Sequence, residues 1–95
     1  MRGWQLMTKL NVDFTHDAWE EYLDWKKNDK KMVKRIDKII SDTIRHPFTG
    51  IGKPEPLQHN LSGFWSRKLN SEHRMVYGVT NKEIQIVQLK YHYDK

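Results

Sequence analysis

Apolar and polar positions change period several times along this chain, and each change marks an element. Leu10, Val12 and Phe14 alternate with Asn11 and Asp13, the period of a half-buried strand. Thr15 then reads as a helix cap, with Asp17 and Glu20 toward the positive end of the helix dipole. Ala18, Trp19, Tyr22, Leu23 and Lys26 keep helical spacing, and Trp25 extends the aromatic side. Core packing is the simplest role for Trp19, Tyr22 and Trp25; a stacking platform for bases is the sharper alternative. Asn28-Asp29 interrupts the pattern and opens a second helix, a short link suited to a helical hairpin. On that helix Met32, Val33, Ile36, Ile39, Ile40 and Ile44 form an apolar stripe, with Lys30, Lys31, Lys34, Arg35 and Lys38 mostly opposite.

His46-Pro47 ends the second helix, because a residue before proline avoids the helical region. Residues 48–62 then predict a long loop, which carries Lys53, Glu55, Gln58 and His59. Three strands follow at about 64–69, 73–80 and 83–91, joined by the polar turn dipeptides Asn70-Ser71 and Asn81-Lys82, which predicts an antiparallel meander. Trp65, Arg67 and Leu69 share one face of the first of these strands, and Arg74, Val76, Gly78 and Thr80 share one face of the second. Each strand sends a cation to a definite side, and the pattern leaves open which sides meet. Gly78, lacking a side chain, is expected to leave room beside Arg74. The element order β-α-α-β-β-β predicts a single α+β domain over 8–95, a curved, mainly antiparallel sheet packed by an N-terminal helical hairpin. Residues 1–7 carry little pattern and are set apart as a leader.

Composition narrows the partners more than the fold. Ninety-five residues suit one domain with a modest core. The chain has no cysteine, which excludes disulfides and thiolate zinc sites, and no His pair has the helical i, i+4 spacing of a metal site, so no metal and no cofactor are expected. No stretch has the length of a signal peptide or membrane span, so a cytoplasmic protein away from membranes is expected. The formal net charge of +5 makes a polyanionic partner plausible. The lysine-rich face of the second helix fits such a partner, and it equally fits a plain solvated surface.

The densest chemistry lies between Gly50 and Arg74. Pro54 and Pro56 flank Glu55 and stiffen the backbone that presents its carboxylate, although Pro-Glu-Pro alone also suits a rigid connector. Farther on come Arg67, Lys68, Arg74 and the terminal Tyr91-His92-Tyr93. A carboxylate, guanidinium groups, an imidazole and phenols are the parts of a metal-independent ribonuclease.

The run G-K-P-E-P-L-Q-H-N-L-S-G-F-W-S-R, then E-H-R-M-V-Y and the terminal Y-H-Y, resembles the YoeB (Txe) toxins of the RelE superfamily. The helical D-K-K-M-V-K-R-I-D-K-I-I ahead of P-F-T-G extends the similarity to nearly everything after Leu10. The resemblance implies a fold related to small microbial ribonucleases and an endoribonuclease that cuts mRNA in the A site of the 70S ribosome. It also implies a cognate antitoxin of the YefM type and a homodimer. Carried over residue by residue, Glu55 would be the base, Arg74 the phosphate clamp, His92 the acid and Tyr93 a positioning group. Lys53, His59, Arg67, Lys68 and Tyr91 are expected to contact RNA around them.

Three departures from the family pattern stand out. Gln58 replaces a frequent basic residue, Lys68 replaces an arginine and its bidentate fork, and Asp94-Lys95 follow the usual last tyrosine. Two other readings compete with the nuclease. One is a toxin of the ParE kind that acts on DNA gyrase, which needs neither Glu55 nor His92; the other is a basic RNA-binding module without catalysis.

Overall fold

The computed structural model describes residues 10–91; the leader and the expected catalytic residues His92 and Tyr93 lie outside them. Strand β1 (Asn11–Phe14) leads into helix α1 (His16–Asn28), where the Thr15 hydroxyl accepts from the Ala18 amide at 3.1 Å. Asp29 closes α1 through its backbone amide and opens helix α2 (Lys30–Arg45) through its carboxylate, which accepts from the Met32 amide at 3.1 Å. The helices thus share one cap residue, and the turn between them is as tight as the sequence predicts.

The chain continues through β2 (Glu55–Pro56), a single 3₁₀ turn (His59–Leu61), β3 (Phe64–Lys68), β4 (Arg74–Val79) and β5 (Glu83–Gln88). These form one five-stranded sheet in the order β1-β5-β4-β3-β2, antiparallel except for the β1–β5 pair. The expected α+β domain is therefore observed, with one strand more than the pattern shows. Part of the loop predicted at 48–62 pairs with β3 as the edge strand β2. A sheet edge is where proline is tolerated, since Pro56 has no amide to give a ladder.

One face of the sheet carries Trp65, Leu69, Met75, Tyr77, Val79, Ile84 and Ile86 and packs against Ala18, Trp25, Met32, Ile36 and Ile39 of the helices. Ile36, Ile39, Ile84 and Ile86 are all fully buried, and each such side chain stabilises the fold by about 1.5–3 kcal/mol. Trp25 enters this core as expected, whereas Trp19 remains 44% exposed, in ring contact with Phe14 and Tyr22. No helix among the described residues is long and apolar enough to cross a membrane.

The last strand ends three residues earlier than predicted, and its continuation is held by other means. The Leu89 amide donates to the Glu21 carboxylate at 2.7 Å, the Leu89 carbonyl accepts from the Trp25 indole at 2.9 Å, and Lys90 pairs with Asp24. Residues 89–91 thus lie as a strap tied to α1.

Candidate active site

Strand register determines which of the expected site residues meet. Glu55 stands opposite Ser66 on β3, Ser66 opposite Val76 on β4, and Lys68 opposite Arg74. Directly opposed residues project to the same side of a sheet, and residues two apart along a strand do likewise. Glu55, Ser66, Lys68 and Arg74 therefore share the face turned away from the helices. Arg74 Nη1 lies 3.5 Å from the Glu55 carboxylate and donates to Ser66 Oγ at 3.2 Å. The Arg74 side chain is 16% exposed and that of Glu55 50%, so a mostly buried cation is presented beside an accessible carboxylate. Two groups 19 residues apart in sequence are joined here by a two-residue strand, Glu55–Pro56, that follows Pro54.

Arg67 goes the other way, and the expectation that it contacts RNA is corrected. It is fully buried on the helix side, where Nε donates to the Tyr77 hydroxyl at 3.1 Å. Nη1 donates to the Asp42 carboxylate at 2.8 Å and the Ile51 carbonyl at 3.1 Å, and Nη2 donates to the carbonyls of His46 and Thr49. A guanidinium has five N–H groups, and all five are engaged inside the protein. Arg67 fastens the end of α2 and the chain at 46–51 to the sheet, which fixes the approach to β2. The Arg67 hydrogen bond also holds the Asp42 carboxyl below its ordinary range, while burial pushes the Tyr77 hydroxyl up. Gly50, at φ +117°, completes the knot, because a Cβ there would fall 2.0 Å from Asp42 Oδ2.

The remaining expected contacts differ in setting. Lys68 is exposed in register with Arg74. Lys53, exposed two residues before Glu55, and His59, exposed in the 3₁₀ turn, both have left-handed backbones, with φ of 52° and 58°. Tyr91 is 60% exposed, and its carbonyl accepts from the Arg74 amide at 3.1 Å. The room expected over Gly78 is filled, since the Phe64 ring lies 3.1 Å from where its Cβ would be. Ser66 is a polar partner of Arg74 that the hydrophobic pattern does not single out. Its two-residue offset from Lys68 places it on this face once Lys68 and Arg74 are paired.

Among the described residues, no group of three or more His, Asp or Glu side chains is gathered to hold a metal ion. The chemistry available is a carboxylate, a guanidinium, a hydroxyl and an ammonium on one face, with the Tyr91 backbone bonded to that of Arg74.

Residues 14–93 match the family profile described as the YoeB-like toxin of the bacterial type II toxin-antitoxin system. The chain is similar to the toxin YoeB of Escherichia coli O6:H1, at 54% identity over 84 residues, covering 88% of this chain and all of that one. Its structure resembles that of a YoeB dimer from Staphylococcus aureus, with TM-score 0.84, 46% identity and coverage of 90% of this chain and 100% of that one. A YoeB-YefM complex from the same organism superposes with TM-score 0.82 at 45% identity and the same coverage.

Proposed function

The chain belongs to the YoeB-like toxins of bacterial type II toxin-antitoxin systems, and on that premise we propose that it is a ribosome-dependent endoribonuclease cleaving mRNA in the ribosomal A site. The observation that carries the reading is the meeting of Glu55 and Arg74 on the open face of the sheet. The 3.5 Å contact between them is long for a charge-assisted bond, so Glu55 itself holds the Arg74 donor only weakly.

In this mechanism Glu55 removes the 2′-hydroxyl proton as the 2′-oxygen attacks the adjacent phosphorus. Arg74, steadied by Ser66, carries the negative charge that builds on the phosphorane. His92 protonates the departing 5′-oxygen, leaving a 2′,3′-cyclic phosphate and a free 5′-hydroxyl, while Tyr93 positions the substrate. Lys68, Lys53, His59 and Tyr91 contact the RNA around the scissile bond. Acid and base steps supply about 10²- to 10⁴-fold each, and the ribosome contributes the orientation that an exposed Glu55 lacks. A YefM-type antitoxin and a second copy of the chain are the proposed partners, consistent with the similar complex and dimer. Ribosomes and mRNA set the cytoplasm as the site of action.

Growth arrest and cleavage of ribosome-bound mRNA, measured for wild type, Glu55→Gln and His92→Gln with thermal melts alongside, test this. Both folded variants are expected to lose at least about 10²-fold in cleavage, and toxicity with it. Variants that stay toxic without cutting mRNA would overturn the assignment in favour of a gyrase or other binding target.

A further inference from the structure

We propose that His73 is a positioning residue of this site. Its Nδ1 and the backbone of Arg74 grip Tyr91 from two sides and set the point from which the chain runs on into His92. The inference rests on the endoribonuclease reading above.

His73 is only 8% exposed, and its imidazole meets the Trp25 ring edge-on, with centroids 4.9 Å apart. Its backbone is fixed as firmly: Asn70 Oδ1 accepts from the amides of Glu72 and His73 at 2.8 and 2.7 Å, and the His73 carbonyl accepts from the Leu69 amide at 2.9 Å. From this rigid seat Nδ1 accepts a hydrogen bond from the Tyr91 amide at 2.6 Å. Accepting at Nδ1 leaves the ring proton of the neutral imidazole on Nε2, which faces the Glu72 carboxylate at 3.8 Å.

The next residue along β4 completes the grip, because the Arg74 amide donates to the Tyr91 carbonyl at 3.1 Å. The Gln88 side-chain amide reaches the same carbonyl at 3.2 Å and that of Lys90 at 2.7 Å. Tyr91 has φ of +59°, a conformation that a bulky residue keeps only where its surroundings impose it. The bonds to its amide and carbonyl are those surroundings. They orient the strap at its last described residue, beside the backbone of the residue that clamps phosphate.

A different role, in which His73 only fills the space beside Trp25, predicts other behaviour. A filler tolerates a ring of similar size. A positioning acceptor does not: with a ring kept but the acceptor gone, the Tyr91 amide loses its partner. His73→Phe keeps the ring and removes the acceptor, whereas His73→Asn puts an oxygen near the place of Nδ1.

The test compares these two variants with wild type and Glu55→Gln, using the full chain on mRNA-programmed ribosomes and reading kcat, KM, melting temperature and hydrogen exchange at the Tyr91 amide. His73→Phe is expected to lower kcat by about 10- to 100-fold with KM nearly unchanged and faster exchange at Tyr91. His73→Asn is expected to restore most of kcat and the protection. Wild-type kcat in His73→Phe, with Glu55→Gln inactive, overturns this proposal alone. Full activity in Glu55→Gln overturns the endoribonuclease reading and this proposal together. Should His73→Phe fail to fold, His73→Asn decides: near wild-type kcat with a protected Tyr91 amide supports the assignment, and a folded variant as inactive as Glu55→Gln overturns it.

Discussion

Arg67 and Arg74 look alike in sequence, each in a strand of the meander, yet they do opposite things. The strand pattern did not separate them, since Arg67 alternates with Trp65 and Leu69 and Arg74 with Val76 and Gly78, non-polar neighbours in both cases. What the pattern lacked was the register that puts the first face under the helices and brings Glu55 onto the second. Asp42, in α2, carries no sequence signal of its own, because its role exists only once the chain at 46–51 folds back onto it. Removing its carboxylate leaves a fully buried guanidinium short of its charged partner. Asp42→Ala is therefore expected to cost about 3 kcal/mol at neutral pH in urea denaturation. The sign of the pH dependence follows from Asp42 having a lowered folded-state pKa. Its contribution is complete above the unfolded carboxylate value of about 3.9 and disappears as pH falls through the lower folded value. The stability gap between wild type and variant should thus be constant at neutral pH and close only in strong acid; a gap that persists at the lowest pH where both still fold would contradict the coupling.

Among the elements, those with local signals were legible. Thr15 and Asp29 mark both helix starts, and the apolar stripe of α2 maps onto the buried Met32, Ile36 and Ile39. Since Asp29 ends one helix and begins the next, Asp29→Ala is expected to cost about 1 kcal/mol, a fall in melting temperature of about 4–8 °C in a domain of this size. Calorimetry checks it, and an unchanged melting temperature would show that packing alone fixes the hairpin. Strand β2 was not legible, because two residues, one of them a proline, have no period to read, and they become a strand only by pairing with β3. The parallel pairing of β1 with β5 was hidden for a related reason: the alternation of Leu10, Val12 and Phe14 announces a strand but says nothing of its neighbour. Trp19 was misplaced because helical spacing around Trp25 suggested a common buried side, whereas the sheet covers only part of it.

At the scale of the molecule, charge and topology each have a consequence. Lys30, Lys31, Lys34 and Lys38 are exposed along α2, while Arg35 is turned inward to the carbonyls of Lys68 and Leu69. On the proposed reading the exposed lysines meet ribosomal RNA. Changing Lys30, Lys31 and Lys34 to alanine should then reduce the log–log dependence of ribosome affinity on salt by about 0.7 for each phosphate no longer neutralised. An unchanged slope in a binding titration would mark that face as merely solvated. The topology bears on time rather than place. β5 lies between β1 and β4, so residues near the start of the chain find their partner only about seventy positions later, the separation of Asn11 and Glu83. Contacts that distant form late in folding. During synthesis, β5 and residues 89–91 are made only after β1, β4 and α1, the elements they bind. Closure of the sheet onto β1 therefore waits for β5, after β3 and β4 have been made.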